Sequence, residues 1–286
     1  MMPAVPYGGL ALCGVVFVIL SVLASGCTAQ APAAGKMLVA VTIPPQAESV
    51  GAIGGDRVDV LVLVPPGASP HTYELTPGQL ADLSRARLYA AVGSGVEFET
   101  AWMDRIRELN PDMAVVNCSE GVALLPDGDP HIWLSPANAK IMAENVCDGL
   151  VAADPAGKEI YEANLATYLA RLDALDAAVR SEVGASGCQA LLVSHASWAY
   201  FARDYGLVQI PIEEGGKEPS PRQIEEIVAR ARAGNISVVF AAPEASTRSA
   251  RVIADEIGGR VVPLSPLAGN YTDNLRAAAA AIAGSV

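Results

Sequence analysis

Short runs of apolar, largely β-branched residues alternate with longer segments of helical periodicity along most of the chain. Seven such runs occur, at residues 37–43, 58–64, 87–92, 113–117, 190–194, 237–242 and 260–264. Strands that alternate with helices are typical of α/β folds with parallel sheets. Because the runs fall either before residue 120 or after residue 186, we expect an α/β protein of two lobes, each with a parallel β-sheet flanked by helices.

The stretch between the two groups of strands has a helical pattern. Residues 156–183 carry apolar side chains at close to helical spacing, and a helix of that length measures about 40 Å. Such a helix reaches both lobes and limits their movement. We therefore predict an N-terminal lobe over residues 37–152, a linking backbone helix over 153–185 and a C-terminal lobe over 186–286.

The N-terminal segment has the character of an export signal. The first 35 residues contain no charged side chain, and residues 8–23 are almost wholly apolar. That run is shorter than the roughly 20 residues that span a bilayer comfortably, and it suits a secretory signal. The alternatives are a buried core helix and an uncleaved anchor. We expect a signal peptide over residues 1–26 and a flexible tether over 27–36.

Small residues lead into Cys27, in a sequence that resembles the processing site of a lipoprotein. Cys27 would then carry the lipid that holds the chain to a membrane. We expect the protein on the outer face of the cytoplasmic membrane or in the periplasm, anchored to the membrane by this lipid or by the N-terminal segment.

Composition and charge exclude one class of partner. The 286 residues include 19 basic and 31 acidic side chains, which gives a net charge of −12. A phosphate backbone would be repelled by most of such a surface, so we expect no nucleic-acid binding.

Cysteine spacing argues against a disulfide scaffold. Cys118, Cys147 and Cys188 lie in the part expected to fold, at wide intervals and without a CxxC pair. We interpret them as small buried residues, with a single bond between Cys118 and Cys147 as the alternative.

All three histidines of the chain lie where parallel sheets present ligands. His71 follows the run at 58–64, His131 lies in the loop after the run at 113–117, and His195 directly follows the run at 190–194. Ligands of α/β sheets bind outside the carboxyl ends of the strands. Three neutral imidazoles suit zinc, and copper, nickel or cobalt are also compatible. We therefore predict a transition-metal site between the lobes.

Four segments of the sequence carry a resemblance to a known family. They read VLVPPGASPHTYELTPGQL, GDPHIWLSPANA, LLVSHASWAYFARDYGL and EPSPRQIEEI. Together they resemble the solute-binding lipoproteins of zinc and manganese ABC importers. The resemblance implies two α/β lobes joined by one long rigid backbone helix, with a metal cleft between them. It also implies that His71, His131 and His195 are the first three ligands.

The third ligand position bears on the choice of metal. Family members with His at this position resemble zinc binders, and those with Glu resemble manganese binders. Because His195 stands at this position, the resemblance implies Zn²⁺ as the bound metal, with Mn²⁺ as the alternative.

The fourth position departs from the family pattern. The family often has an aspartate in a sequence like LDPL, where this chain has Ser265. Serine is a poor zinc ligand, so we expect water to complete the site, because three histidines and water already make a viable tetrahedral centre. Glu213, Glu214 and Glu244 are the alternative fourth ligands.

Carboxylates near the histidines are candidates to hold their outer ring nitrogens. Ligating histidines usually donate their other N–H to a carboxylate or a carbonyl. Glu74 lies three residues after His71, and Asp129 lies two residues before His131. We expect these two side chains to orient the rings.

Together with the histidines, the resemblance implies an extracytoplasmic solute-binding protein, not an enzyme, that captures Zn²⁺ and delivers it to the membrane permease of an ABC importer. A zinc-dependent hydrolase with the same three histidines is an alternative, although neither HExxH nor GxSxG occurs in the chain. A receptor for manganese or for a metal chelate and an adhesin with a structural metal are the others.

Overall fold

The computed structural model describes residues 1–4, 35–213, 217–244 and 246–286. The chain divides into two units, Met1–Ala34 and Gly35–Val286, and only residues 1–4 of the first are described. The expectations for Cys27 and Glu214 therefore fall outside the described residues. Among the helices that are described, none is long and apolar enough to cross a membrane.

The first sheet has four parallel strands in the order β2-β1-β3-β4. Its strands are β1 (Met37–Val41), β2 (Val58–Val62), β3 (Leu88–Ala91) and β4 (Ala114–Asn117). The register places Val41 beside Val62 and Ala90, so the carboxyl ends of the first three strands lie at one edge.

The second sheet repeats the same arrangement, in the order β6-β5-β7-β8. Its strands are β5 (Ala190–Val193), β6 (Val208–Pro211), β7 (Val238–Ala241) and β8 (Arg260–Pro263). The apolar runs had indicated every strand except β6. That strand reads VQIP, so Gln209 and Pro211 interrupt its apolar residues, and Val208 is 56% exposed at the sheet edge.

Helices connect the strands and cover the sheets. The described helices are α1 (Pro44–Gly54), α2 (Pro77–Leu83), α3 (Glu97–Leu109), α4 (Pro136–Ala153), α5 (Lys158–Ser186), α6 (Ala199–Tyr205), α7 (Pro221–Ala233), α8 (Arg248–Ile257) and α9 (Tyr271–Ala283). Local sequence sets several of their starts. Thr76, Ser135 and Ser220 each cap a helix whose first residue is proline. The hydroxyl accepts a hydrogen bond from a free backbone N–H of the first turn, and proline has no N–H that would need a partner.

Helix α5 is the long backbone helix that the sequence predicted. It has 29 residues, is followed by Gly187 in a left-handed conformation, and packs against α1, α4 and α9. Its buried side chains recur at helical spacing, at Tyr161, Tyr168, Leu172, Leu175, Val179 and Val183. The two parallel sheets and this helix confirm the predicted fold class.

Direct hydrogen bonds also join the two lobes beside the cleft between them. Trp133 Nε1 donates to the carbonyl of Pro266 at 2.7 Å. Tyr200 of α6 donates its hydroxyl proton to the carbonyl of Asp129 and accepts from the backbone N–H of Leu125. The loop before α4 is thereby fixed to the opposite lobe.

The cysteines expected in the fold are all free thiols. Cys118 and Cys147 are buried, and Cys188 is half-buried. The structure thus forms no Cys118–Cys147 bond, and burial raises the pKa of the Cys118 thiol well above its ordinary value.

Candidate metal site

Each histidine lies just beyond the carboxyl end of a strand or in the loop that follows it. His71 lies in the irregular segment between β2 and α2, residues 63–76. His131 precedes a short 3₁₀ turn, Ile132–Leu134, and is itself only 4% exposed. His195 lies two residues after β5, in the other lobe. Two lobes therefore contribute ligands to one point.

The three imidazole rings converge in the cleft. The Nε2 atoms of His71 and His195 lie 3.1 Å apart, and the ring centroid of His131 lies 6.0 Å from that of His71 and 5.2 Å from that of His195. One nitrogen from each ring falls within 4.8 Å of the others. This spacing suits a single Zn²⁺, whose bonds to imidazole nitrogen are about 2.0–2.1 Å.

A carboxylate faces the outer ring nitrogen, Nδ1, of every histidine. Asp129 lies 2.7 Å from that of His131, Glu97 lies 2.8 Å from that of His71, and Glu213 lies 3.6 Å from that of His195. An ionised carboxylate only accepts hydrogen bonds. The contacts with Glu97 and Asp129 therefore favour a proton on Nδ1 and leave Nε2 free for a metal.

Burial keeps the His195 ring uncharged. The pKa of His195 is lowered from 6.5 to about 4, first by burial and then by the neighbouring His131 and His71. Burial also raises the pKa of Glu213, and the nearby Glu218 raises it further. A neutral His195 ring can ligate a metal over the whole physiological pH range, because only unprotonated imidazole binds.

The cluster opens into a cavity of about 290 Å³ between the lobes. Its lining includes all three histidines and three carboxylates of the C-terminal lobe, Glu213, Glu218 and Glu244. The cavity is larger than a bare ion requires, since one water occupies about 30 Å³ of liquid. It therefore has room for a metal together with several water molecules.

The expected fourth ligands take different positions around the cavity. Glu213 faces the outer nitrogen of His195. Glu244 accepts a hydrogen bond from the hydroxyl of Ser265, which itself accepts from the N–H of Leu267 at 3.1 Å. The second carboxylate oxygen of Glu244 is buried and has no hydrogen-bond partner among the described residues. Glu244 therefore offers the cavity a buried oxygen that no described residue engages.

Sequence proximity identified one of the two expected carboxylate partners. Asp129 contacts both the ring and the backbone N–H of His131. Glu74 is exposed, and the structure places Glu97 rather than Glu74 against His71. Glu97 begins α3, 26 residues further along the chain, so sequence distance gave no indication of it.

Comparison with known proteins places this arrangement among metal-uptake proteins. The family described as ZnuA, zinc-uptake complex component A, periplasmic, matches residues 39–285. The high-affinity zinc uptake system protein ZnuA of Bacillus subtilis (strain 168) is 30% identical over 256 residues, covering 82% of this chain and 79% of that protein.

Solved structures show the same similarity. A crystal structure of ZnuA superposes with a TM-score of 0.85 at 42% identity, covering 87% of this chain and 99% of the other. A ZnuA deletion mutant with zinc bound has a TM-score of 0.84 at 41% identity, with coverage of 87% and 98%.

Proposed function

Because the chain belongs to the ZnuA family of periplasmic zinc-uptake components, we propose that it captures Zn²⁺ between its lobes and delivers the ion to an ABC importer. The observation that carries this proposal is the convergence of one nitrogen from each of His71, His131 and His195 within 4.8 Å. Two of these residues come from the N-terminal lobe and one from the C-terminal lobe. The cleft between the lobes is therefore the binding site.

The three histidines are the protein ligands in this proposal. Their inner nitrogens offer three neutral donors, and the carboxylates of Glu97, Asp129 and Glu213 oppose the positive charge from behind the rings. Such outer contacts orient the ligands and raise their basicity.

We propose water as the fourth ligand, with the free oxygen of Glu244 as the alternative. The cavity has room for water beside the histidines. The hydroxyl of Ser265 is engaged with Glu244 and Leu267, which supports its exclusion from direct ligation. Glu213 and Glu214 are not favoured, since Glu213 faces an outer ring nitrogen and Glu214 is not described.

A set of three imidazole donors favours zinc over manganese. Manganese prefers carboxylate, carbonyl and water oxygens, whereas imidazole suits zinc. We expect Mn²⁺ to bind more weakly at the same site.

We assign the chain a carrier function and no catalytic step. Release of a captured ion requires a membrane permease as partner, and Cys27, if lipidated, would hold the receptor near it. The carboxylates closest to the rings are committed to their outer nitrogens, so they are poorly placed to act as a general base on a metal-bound water.

The test is a competitive titration with a chromophoric chelator, using residues 28–286, which contain the whole Gly35–Val286 unit. Zinc and manganese are titrated against wild type, His131→Ala and Lys140→Ala, the last being a control at a surface ion pair with Asp173. We expect one tight zinc site, lost only in His131→Ala. Absence of tight zinc binding by wild type contradicts the proposal, and turnover of a model ester would favour the hydrolase.

A further inference from the structure

The three ligands differ in how firmly the protein holds them. The side chain of His131 is 5% exposed and that of His195 is 17% exposed, whereas that of His71 is 30% exposed. His71 lies in the irregular segment 63–76, and among the described residues its backbone N–H is held only by the hydroxyl of Ser69, at 3.3 Å. Its orientation therefore depends on contacts made by its ring.

Glu97 makes the contact that orients this ring. Its Oε2 atom lies 2.8 Å from Nδ1 of His71, and the other ring nitrogen faces His195. The Glu97 side chain is 53% exposed, and nothing in the metal-binding motifs indicates it. As the first residue of α3, it also interacts favourably with the positive end of the helix dipole.

The first turn of α3 is itself fixed in the core by Glu99. This buried carboxylate accepts hydrogen bonds from the backbone N–H groups of Val92 and Gly93, at 2.6 and 2.8 Å. It also accepts from the hydroxyl of Thr42, at the end of β1. Two residues of α3 thus link the exposed ligand to the carboxyl ends of β1 and β3.

We propose that Glu97 is a positioning residue for metal capture, a proposal that rests on the proposed zinc function. Its carboxylate accepts a hydrogen bond from Nδ1–H of His71 and so selects the tautomer that presents an unprotonated Nε2 to the cleft. A neutral ring without this partner divides between two tautomers and rotates more freely. The Nε2 atom of His71 is then no longer held ready for the metal, and zinc dissociates faster.

Position, rather than charge alone, distinguishes Glu97 from its acidic neighbours. Glu74 is three residues from His71 in sequence but is exposed and makes no hydrogen bond or ion pair with any described residue. Asp104 is exposed on the same helix as Glu97. Removing the charge at Asp104 therefore controls for the loss of one negative charge from α3.

The experiment compares wild type, Glu97→Ala, Glu97→Gln and Asp104→Ala as full chains. Zinc affinity is measured by chelator competition, zinc dissociation by stopped flow, and the His71 tautomer by ¹⁵N NMR of the metal-free protein. We expect Glu97→Ala to weaken zinc binding about 10–100-fold, mainly through faster dissociation, and to mix the His71 tautomers. Glu97→Gln, whose amide oxygen still accepts a hydrogen bond from Nδ1–H, keeps the tautomer and part of the affinity, and Asp104→Ala matches wild type.

Two results would overturn the proposal. One is zinc affinity in Glu97→Ala equal to that of Asp104→Ala. The other is equal loss in Glu97→Ala and Glu97→Gln with an unchanged His71 tautomer, which would indicate a charge effect alone. Failure of the zinc function itself is distinguishable, because wild type would then bind no zinc while the tautomer measurement still reports the Glu97 contact.

Discussion

The Nε2 atom of His71 lies 3.1 Å from the Nε2 atom of His195, although the two residues are 124 positions apart and belong to different lobes. In a tetrahedral zinc site with bonds of about 2.05 Å, two nitrogen ligands lie about 3.3 Å apart. The pair is therefore already close to ligating distance. With protons on the outer nitrogens, two lone pairs face each other, an arrangement that a cation stabilises.

Zinc should therefore raise the stability of the fold. A ligand that binds only the folded state stabilises it by about 2.7 kcal/mol at 100 times its Kd. For a domain of this size, that corresponds to a rise in Tm of about 5–10 °C. Calorimetry with and without zinc measures the shift. Magnesium serves as the control ion, and an equal shift in His131→Ala would contradict binding at this site.

Acid should destabilise the metal-free protein through His195. Its pKa is about 4 in the folded protein, against an ordinary value of 6.5. Between these values the unfolded state binds more protons, so this residue lowers the free energy of unfolding by up to about 1.4 kcal/mol for each pH unit of acidification. Above pH 6.5 it contributes no pH dependence.

Urea unfolding in EDTA at several pH values from 4 to 7 tests this prediction. We expect the wild-type curve to fall more steeply on acidification than that of His195→Asn, which has no titrating ring. Parallel curves for the two proteins would show that His195 is not kept neutral by burial.

Ser265→Asp should change the metal preference. An aspartate here would add a carboxylate to the cavity in place of the hydroxyl that now binds Glu244. Because oxygen donors suit manganese, we expect the ratio of Mn²⁺ to Zn²⁺ affinity to rise about tenfold, or about 1.4 kcal/mol. Ser265→Ala removes the hydroxyl without adding a donor. If Ser265→Asp alters neither affinity, Ser265 lies outside the fourth position.

Tyr200→Phe should loosen the loop that carries His131. The variant leaves the N–H of Leu125 and the carbonyl of Asp129 without their partner. An unsatisfied buried polar group costs about 1–3 kcal/mol, which urea unfolding would detect. Zinc stoichiometry should stay at one per chain while affinity falls. Unchanged stability would indicate that water replaces the hydroxyl.

The sequence was most informative where burial dictates composition. Every strand that is covered on both faces appeared as an apolar run, and the period of α5 was visible because one stripe of the helix is buried. Strand β6 was missed because Gln209 and Pro211 interrupt its apolar residues. The three histidines were identifiable since parallel strands place their carboxyl ends at one edge.

The partners of those histidines depend on packing between distant segments. Asp129 is close in sequence to His131, and a two-residue turn brings them together. Glu97 meets His71 only because β1 lies between β2 and β3 and the segment 63–76 crosses to α3. Strand order of this kind is not encoded in local periodicity, so no inspection of neighbouring residues could reveal the contact.

Helix α5 and the hydrogen bond from Trp133 to the carbonyl of Pro266 tie the two lobes together. We therefore expect a transporter to meet a similar outline in the loaded and in the empty receptor. We expect the difference between these states to lie mainly in the loops that carry the ligands, above all in the segment 63–76 around His71. The transporter would then distinguish the two states by how well ordered that segment is. The more this order differs between the states, the less often the transporter engages a receptor without metal.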